Sequence, residues 1–361
     1  MAGLASQEAG AMPPAFPHRF MHKSPSPRGS SANGAVATLE ADGYCGLRRQ
    51  RVEKDIQGSG KWEPGMERGK LRGLLADPAV PGLLRGEIWI EPQVLEAEGF
   101  PQSPLGLVGF AEALGADVCF FRWPDDVESM GGRELAALAH GRGLGCALVV
   151  DGPFQRLASC KDPCALLAEL AGDPRRFTAR LDREKERVIE ALDRLKGAEI
   201  DLVLIGEDVG YGGGLYFAPE IFRTLFLPFY AAILERPKVD SLAWGWHSDG
   251  KVGALLPELV ACGFRCFSLE PECIDLLDFK RRNRSRICLI GGIRAAWLTA
   301  ASIDRALEEV SLREIRTLVR EGGLILTSTC GLHNPAFLPN IKRLYRSVAI
   351  APPCHLENAG Q

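Results

Sequence analysis

Three side chains in the second half of the sequence have the types and spacing of a metal site. His247 and Asp249 are two residues apart at the end of an extended apolar segment, so their side chains point to the same side. Cys330 ends a later apolar segment and precedes a predicted helix N-terminus, where backbone N–H groups favour a thiolate. A histidine, a thiolate and an oxygen ligand with one open position are typical of catalytic zinc. The alternative is a hydrogen-bonded core histidine and a buried thiol.

Acidic residues follow other apolar segments at the points where the predicted strands end. Asp208 is the candidate general acid/base or substrate-orienting carboxylate, because Glu207 before it faces the opposite side. Asp151 is a second catalytic candidate, and Glu270 is a candidate substrate contact or fourth metal oxygen. Each acid could instead cap a helix or accept hydrogen bonds from a loop. If the strand ends form one site, these residues converge on one mouth of a barrel: Asp151, Asp208, His247, Glu270 and Cys330.

The elements that must position these residues alternate regularly between strand and helix patterns. Helical patterns cover residues 175–197, 252–262 and 302–320, and a last helix starts at Asn334-Pro335. Apolar residues at both parities of the strand segments are typical of a parallel sheet buried on both faces. An early Gly-x-Gly-x-x-Gly turn is missing, so the pattern favours an α/β (β/α)8 TIM barrel over a dinucleotide-binding sheet. The eight predicted strands are residues 87–90, 117–121, 146–150, 201–205, 241–244, 265–269, 286–290 and 324–327.

The composition is that of a globular protein and excludes several functional classes. Of the 361 residues, 46% are hydrophobic and 25% are charged. The formal net charge of −3 gives no polycationic surface for nucleic acid. The longest apolar stretch, residues 215–234, is interrupted by prolines and charges, so we expect no membrane span. Eleven cysteines lie mostly within apolar runs, which together with the absence of a signal core predicts a cytoplasmic protein with reduced thiols.

The first part of the chain differs in composition from the rest. Residues 12–35 are rich in proline and serine and lack apolar periodicity, so they bury too little to offset the entropy of ordering. We therefore expect a low-complexity, disordered extension over residues 1–75, a folded barrel over residues 80–352 and a short tail over residues 353–361.

A set of motifs between residues 80 and 350 resembles the uroporphyrinogen decarboxylase superfamily. The resemblance lies in their combination and order, and it implies a (β/α)8 barrel. The motifs are Arg85-Gly86-Glu87-Ile88-Trp89, Gly152-Pro153-Phe154-Gln155-Arg156, Gly206-Glu207-Asp208-Val209, Leu215-Tyr216-Phe217-Ala218-Pro219-Glu220-Ile221-Phe222, Pro228-Phe229-Tyr230, His247-Ser248-Asp249-Gly250, Gly291-Gly292-Ile293, Cys330-Gly331-Leu332 and Pro339-Asn340-Ile341.

One branch of the superfamily consists of zinc-dependent methyltransferases, which move a methyl group between a corrinoid protein and a thiol. These enzymes carry a His-x-Cys motif and a distant Cys; His247 and Cys330 match it, whereas Asp249 replaces the middle Cys. The resemblance therefore implies zinc at His247, Asp249 and Cys330, a methyl-corrinoid supplied by a partner protein, and a small-molecule substrate. A carboxylate in place of a thiolate makes the site harder, which weakens the expectation that the acceptor is a thiol.

The other branch consists of decarboxylases, which bind the carboxylates of a tetrapyrrole through arginines and need no metal. Their N-terminal arginine motif is not found here, although Leu47-Arg48-Arg49-Gln50-Arg51 lies near its place. Arg122, Arg156 and Arg294 are the candidate substrate-binding residues, because guanidinium groups bind carboxylates bidentately. A non-catalytic barrel that binds a small ligand is the third hypothesis, and the sequence leaves the oligomeric state open.

Overall fold

Eight parallel strands form one sheet that curls into a nearly closed barrel. A computed structural model describes residues 69–159, 162–235, 243–328 and 331–349. The strands are β1 (Leu83–Arg85), β2 (Val118–Arg122), β3 (Gly145–Asp151), β4 (Leu202–Gly206), β5 (Gly210–Tyr211), β6 (Gly214–Leu215), β7 (Ala243–Ser248), β8 (Cys266–Leu269), β9 (Cys288–Ile293) and β10 (Leu324–Ser328). The order of hydrogen-bonded neighbours is β1-β10-β9-β8-β7-β4-β3-β2, which confirms the predicted (β/α)8 class, and β5 and β6 form a small separate hairpin.

The barrel closes between β1 and β2 through the residue that precedes β2. The backbone amide of Asp117 donates to the carbonyl of Arg85, 2.7 Å away. The carboxylate of Asp117 accepts from the amide of Arg85 at 3.0 Å and from its Nε at 2.9 Å. The backbone amide and the carboxylate of Asp117 thus both hydrogen-bond Arg85 at this seam.

Helices surround the barrel and connect its strands. The long helix Pro174–Arg194 has the predicted amphipathic pattern, and it is capped by Asp173, whose carboxylate accepts a hydrogen bond from the amide of Arg176. The described helices are α1 (Gly69–Ala76), α2 (Pro92–Ala97), α3 (Pro104–Leu114), α4 (Asp125–Met130), α5 (Gly132–His140), α6 (Pro153–Ser159), α7 (Pro163–Gly172), α8 (Pro174–Arg194), α9 (Pro219–Leu225), α10 (Leu227–Leu234), α11 (Leu256–Cys262), α12 (Leu276–Arg282), α13 (Ala295–Thr299), α14 (Arg305–Glu321), a 3₁₀ turn (Pro335–Phe337) and α15 (Leu338–Ala349).

The first strand lies earlier in the sequence than its pattern predicts. The sequence predicts the first strand at residues 87–90, but β1 is Leu83–Arg85, and of the run 87–90 only Ile90 makes a described parallel bridge, to Leu332. At Gly86 the backbone passes so close to β2 that a Cβ atom would lie 2.7 Å from the Val118 carbonyl oxygen. Next to it, the buried carboxyl of Glu87 accepts hydrogen bonds from the Ser328 amide and the Tyr345 hydroxyl.

Two helix starts also differ from the predicted ones. Asp304, rather than Ser302, caps α14, and its carboxylate accepts from the amide of Leu307. Helix α11 begins at Leu256 rather than at residue 252, with Pro257 in its first turn, where a proline is tolerated. Asn334 does serve as the predicted cap, but it starts the 3₁₀ turn that leads into α15.

Two apolar layers hold the barrel together. One lies between the strands and the surrounding helices, and the other fills the barrel interior with inward residues such as Phe120, Val149 and Ile325. Helix α1 covers the amino-terminal end of this interior, because its Leu71 joins the inner layer and its Arg72 pairs with Asp201. The described fold therefore includes residues 69–76, ahead of the predicted barrel start at residue 80.

The described residues include free cysteines but no candidate membrane-spanning helix. None of the helices in residues 69–349 that the structure describes is both long and apolar enough to cross a bilayer. Cysteines without a disulfide, as the composition predicts, are residues 119, 146, 164, 262, 266, 273 and 288. The predicted N-terminal extension up to residue 68 and the predicted tail lie outside the described residues.

Candidate metal-binding site

His247, Asp208 and Asp249 lie together at the carboxyl ends of the adjacent strands β4 and β7. Nε2 of His247 is 3.5 Å from Oδ1 of Asp208 and 3.8 Å from Oδ1 of Asp249. One ligand atom of each residue lies within 4.8 Å of the other two. Ligands that share one ion at about 2.1 Å are roughly 3–3.5 Å apart, so a small contraction would bring these atoms onto one cation.

Strand pairing is the reason that these three residues meet. Gly206 of β4 is in register with His247 of β7, so the residues that follow both strands emerge side by side. The amide of Glu207 donates to the carbonyl of His247 at 2.8 Å. The amide of Asp249 donates to Oδ1 of Asp208 at 3.3 Å, which holds the two carboxylates next to each other.

The turn after Asp249 is held by a glycine and by Glu270. Gly250 has φ +82°, a left-handed conformation, and a Cβ atom there would collide with the backbone of Tyr211. Its amide donates to Oε2 of Glu270 at 2.9 Å, and the same oxygen accepts from Sγ of Cys273 at 3.2 Å. Glu270 therefore lies beside the cluster, as predicted, but its hydrogen-bonded oxygen supports the turn and is outside the grouped ligand atoms.

The imidazole of His247 is enclosed on its other sides. Its side chain is 1% exposed, and Nδ1 lies 2.9 Å from Oγ of Ser268 on β8. The ring of Trp89 packs edge-on against it, with centroids 6.1 Å apart. Only Nε2 faces the two carboxylates. The ring is therefore fixed in place with one nitrogen directed at the candidate site.

Glu207 and Asp208 point in opposite directions, as the period of an extended segment predicts. The carboxyl of Glu207 accepts from the amides of Phe154 and Gln155 and from the Tyr230 hydroxyl, 2.8 Å away. Burial raises the pKa of Glu207 to about 8, and those hydrogen bonds partly oppose the shift. Glu207 thus hydrogen-bonds to groups on the side away from the cluster, whereas Asp208 faces His247.

Asp151 lies at the same mouth, whereas Cys330 is outside the described residues. Asp151 ends β3 in register with Gly206 of β4, and its charge contributes to the raised pKa of Glu207. The structure therefore brings Asp151, Asp208, His247 and Glu270 to one end of the barrel. The role of Cys330 as a metal ligand stays a prediction.

The candidate arginines are engaged mainly by glutamates. Nε of Arg156 donates to Glu184 of α8 at 2.9 Å, within the outer helix layer. Arg294 holds Glu314 through two nitrogens, at 2.7 Å and 3.2 Å. Arg122 ends β2 at the mouth, and its Nη1 is 3.9 Å from Glu91. All three guanidinium groups therefore have carboxylate partners within the protein, hydrogen-bonded for Arg156 and Arg294 and at a longer ion-pair distance for Arg122.

The donor set of the cluster fits a divalent metal. An imidazole nitrogen and carboxylate oxygens bind zinc, and they also suit harder divalent ions such as manganese. The predicted zinc set contained His247 and Asp249 but placed Asp208 in a catalytic role. Ser268 was missed altogether, although a lone hydroxyl within the apolar strand Cys266-Phe267-Ser268-Leu269 is a signal that could have identified it.

Comparisons with known proteins agree with the fold. The family model of uroporphyrinogen decarboxylase (URO-D) matches residues 146–349. Methylcobamide:CoM methyltransferase MtaA of Methanosarcina barkeri is 28% identical over 172 residues, which are 46% of this chain and 47% of that protein. The match thus spans about half the length of this curated relative. A solved methyltransferase from Methanosarcina mazei has the same fold, with a TM-score of 0.56 at 15% identity, covering 78% of this chain and 97% of that one.

Proposed function

This chain belongs to the uroporphyrinogen decarboxylase family, as its motifs predict, and we propose that it is a metal-dependent methyltransferase of that family. The proposed reaction moves a methyl group between a corrinoid protein and a small-molecule acceptor. The observation that carries the proposal is the cluster of buried His247 and Asp208 with half-buried Asp249 at the mouth of the barrel. The likeness to a methylcobamide methyltransferase supports the corrinoid as methyl carrier.

The residues of the cluster have separate proposed roles in binding the metal and in orienting the acceptor. Nε2 of His247 and the carboxylates of Asp208 and Asp249 are the proposed ligands, and Cys330 stays a predicted further ligand. Bound zinc supplies Lewis acidity, which lowers the pKa of a coordinated thiol or hydroxyl. The second oxygen of Asp208 keeps its predicted role of orienting the acceptor and taking its proton. Asp151, at the neighbouring strand end, is the proposed second acid/base.

The carboxylates of Asp208 and Asp249 also affect which class of acceptor a bound metal would prefer. Two oxygen ligands make a bound metal harder than two thiolates would, and a harder metal favours oxygen nucleophiles as well as thiols. We therefore propose a small hydroxyl or thiol compound as the acceptor. Decarboxylation of a tetrapyrrole is the weaker alternative, because Arg156 and Arg294 are already paired with Glu184 and Glu314.

Metal analysis of the full chain, purified without chelator, tests the proposal. We expect about one zinc ion per chain by mass spectrometry, and only traces in His247→Ala. His333→Ala is the matched control, because His333 is exposed and lies outside the cluster, and it should keep its metal. Methylcobalamin demethylation with thiol or hydroxyl acceptors, followed by absorbance, should fall with the metal content. A metal-free wild-type chain, together with undiminished turnover in His247→Ala, would overturn the proposal.

A further inference from the structure

We infer that Ser268 is a positioning residue that keeps the His247 ring hydrogen-bonded, with Nε2 directed at the two carboxylates, and thereby supports the metal affinity of the site. The inference rests on the proposed metal-binding function. Oγ of Ser268 lies 2.9 Å from Nδ1 of His247, on the side of the ring away from the two carboxylates. Ser268 itself is fully buried, with 0% of its surface exposed.

Strand register fixes this contact. Ser268 of β8 is directly paired with His247 of β7 in the parallel ladder. Phe267 and Leu269 belong to the outer apolar layer and Cys266 to the inner one, so Ser268 faces the barrel interior, as His247 does. Both side chains are shielded from water, so their hydrogen bond pairs two buried polar groups with each other.

The hydroxyl group can serve the ring in either of its neutral forms. When Nε2 carries the proton, that N–H faces the carboxylates of Asp208 and Asp249, and Ser268 must donate its proton to Nδ1. When Nε2 is bare, Nδ1 carries the proton and donates it to Oγ of Ser268. Rotation of one hydroxyl hydrogen thus accommodates both forms at the same distance between heavy atoms.

The ability to pair with both neutral forms matters because a metal at Nε2 requires the form of His247 that carries its proton on Nδ1. Without a cation, two nearby carboxylates favour a proton on Nε2, whereas an ion at the cluster requires the lone pair of that nitrogen. A carboxylate or carbonyl in place of Ser268 could accept from Nδ1 but could not donate to it. Serine therefore keeps the imidazole paired before and after metal binding, with no movement of the ring.

The test combines zinc affinity with the protonation of the ring in the full-length chain. Ser268→Ala should weaken zinc binding, measured by chelator competition, by roughly 10–100-fold. In nitrogen-15 NMR spectra of the zinc-loaded wild-type protein, the His247 ring, assigned by its loss in His247→Ala, should be protonated on Nδ1. Ser268→Thr keeps the hydroxyl and should recover most of the affinity. Ser311→Ala removes another buried hydroxyl, on α14, and should leave zinc affinity unchanged.

The outcomes separate the inference from the proposed function. Wild-type zinc affinity in Ser268→Ala, with the same ring protonation, would overturn the role of Ser268 and leave the metal site standing. A wild-type chain that binds no zinc would overturn both. If Ser268→Ala fails to fold, Ser268→Cys provides the second variant, since it keeps the volume and offers only a weak hydrogen bond, and it should bind zinc less tightly than Ser268→Thr.

Discussion

The backbone amide of Asp249 donates a hydrogen bond to Oδ1 of Asp208, 3.3 Å away, and so links the ends of two neighbouring strands. The bond brings two carboxylates to the same side of one imidazole nitrogen. Carboxylates held together in a partly buried site repel each other unless a cation lies near them. This relationship is the structural reason for proposing a metal at the mouth of the barrel. It also makes Asp249 a position where a substitution should change which metal the site prefers.

Asp249→Cys should shift the metal preference of the site towards zinc. A thiolate is a softer ligand than a carboxylate, so we expect the ratio of zinc to manganese affinity to rise on the order of tenfold. Competition titrations with both metals measure this ratio. Asp249→Ser removes the carboxylate without adding a thiolate and should weaken the binding of both metals. An unchanged ratio in Asp249→Cys would show that residue 249 does not contact the ion.

Gly250→Ala should damage the site by moving the turn that follows Asp249. A methyl group at Gly250 meets the backbone of Tyr211 and requires a strained φ of +82°, so we expect a loss of about 1–3 kcal/mol in the free energy of unfolding. Metal affinity should fall as well, because the Gly250 amide would leave Glu270. Gly253→Ala is the matched control, since its nearest neighbour would be Ile274 at 3.7 Å. Equal stability and affinity in the two variants would contradict this account of the turn.

Buried glutamates should make the chain less stable as the pH rises. Burial raises the pKa of Glu207 to about 8 and that of Glu87 to about 7, from 4.5 in both cases. Between pH 4.5 and the raised value the folded chain keeps a proton that the unfolded chain has lost. Each group therefore lowers the free energy of unfolding by about 1.4 kcal/mol per pH unit in that window.

Urea denaturation at several pH values between 5.5 and 7.5 measures this slope. Glu207→Gln should reduce the decline of the free energy of unfolding by the contribution of one group, about 1.4 kcal/mol per pH unit, over this whole pH range. Glu87→Gln should reduce the decline only below about pH 7. Glu186→Gln, on the exposed face of α8, should leave the slope as it is, because that side chain is in water in both states. A slope that is the same in Glu207→Gln as in the wild-type chain would refute the assignment.

The sequence was sufficient for most of the fold and for part of the site. His247 and Asp249 could be paired because two residues on one strand end share a face whatever the neighbouring strand is. Asp208 and Ser268 could not be assigned to the same ring, since their contacts depend on the register of β4 and β8 against β7. The first strand was predicted at the wrong residues for a related reason. The apolar pattern at 87–90 indicates burial but does not show where strand pairing ends, which is near Gly86, where the backbone lies against β2.

The last prediction concerns α1, which lies ahead of the barrel start that composition alone suggests. A chain that begins at residue 80 should be much less stable than one that begins at residue 69. The shorter chain uncovers the inner layer beneath Leu71, leaves Asp201 without Arg72 and removes the Pro78 carbonyl from the buried amine of Lys280. We expect a loss of at least about 3 kcal/mol in the free energy of unfolding, from lost apolar burial and unpaired buried groups. Urea midpoints of the two truncated chains measure the difference, with Arg72→Ala in the longer one isolating the ion pair. Equal midpoints would show that α1 is dispensable and that the folded unit begins at β1.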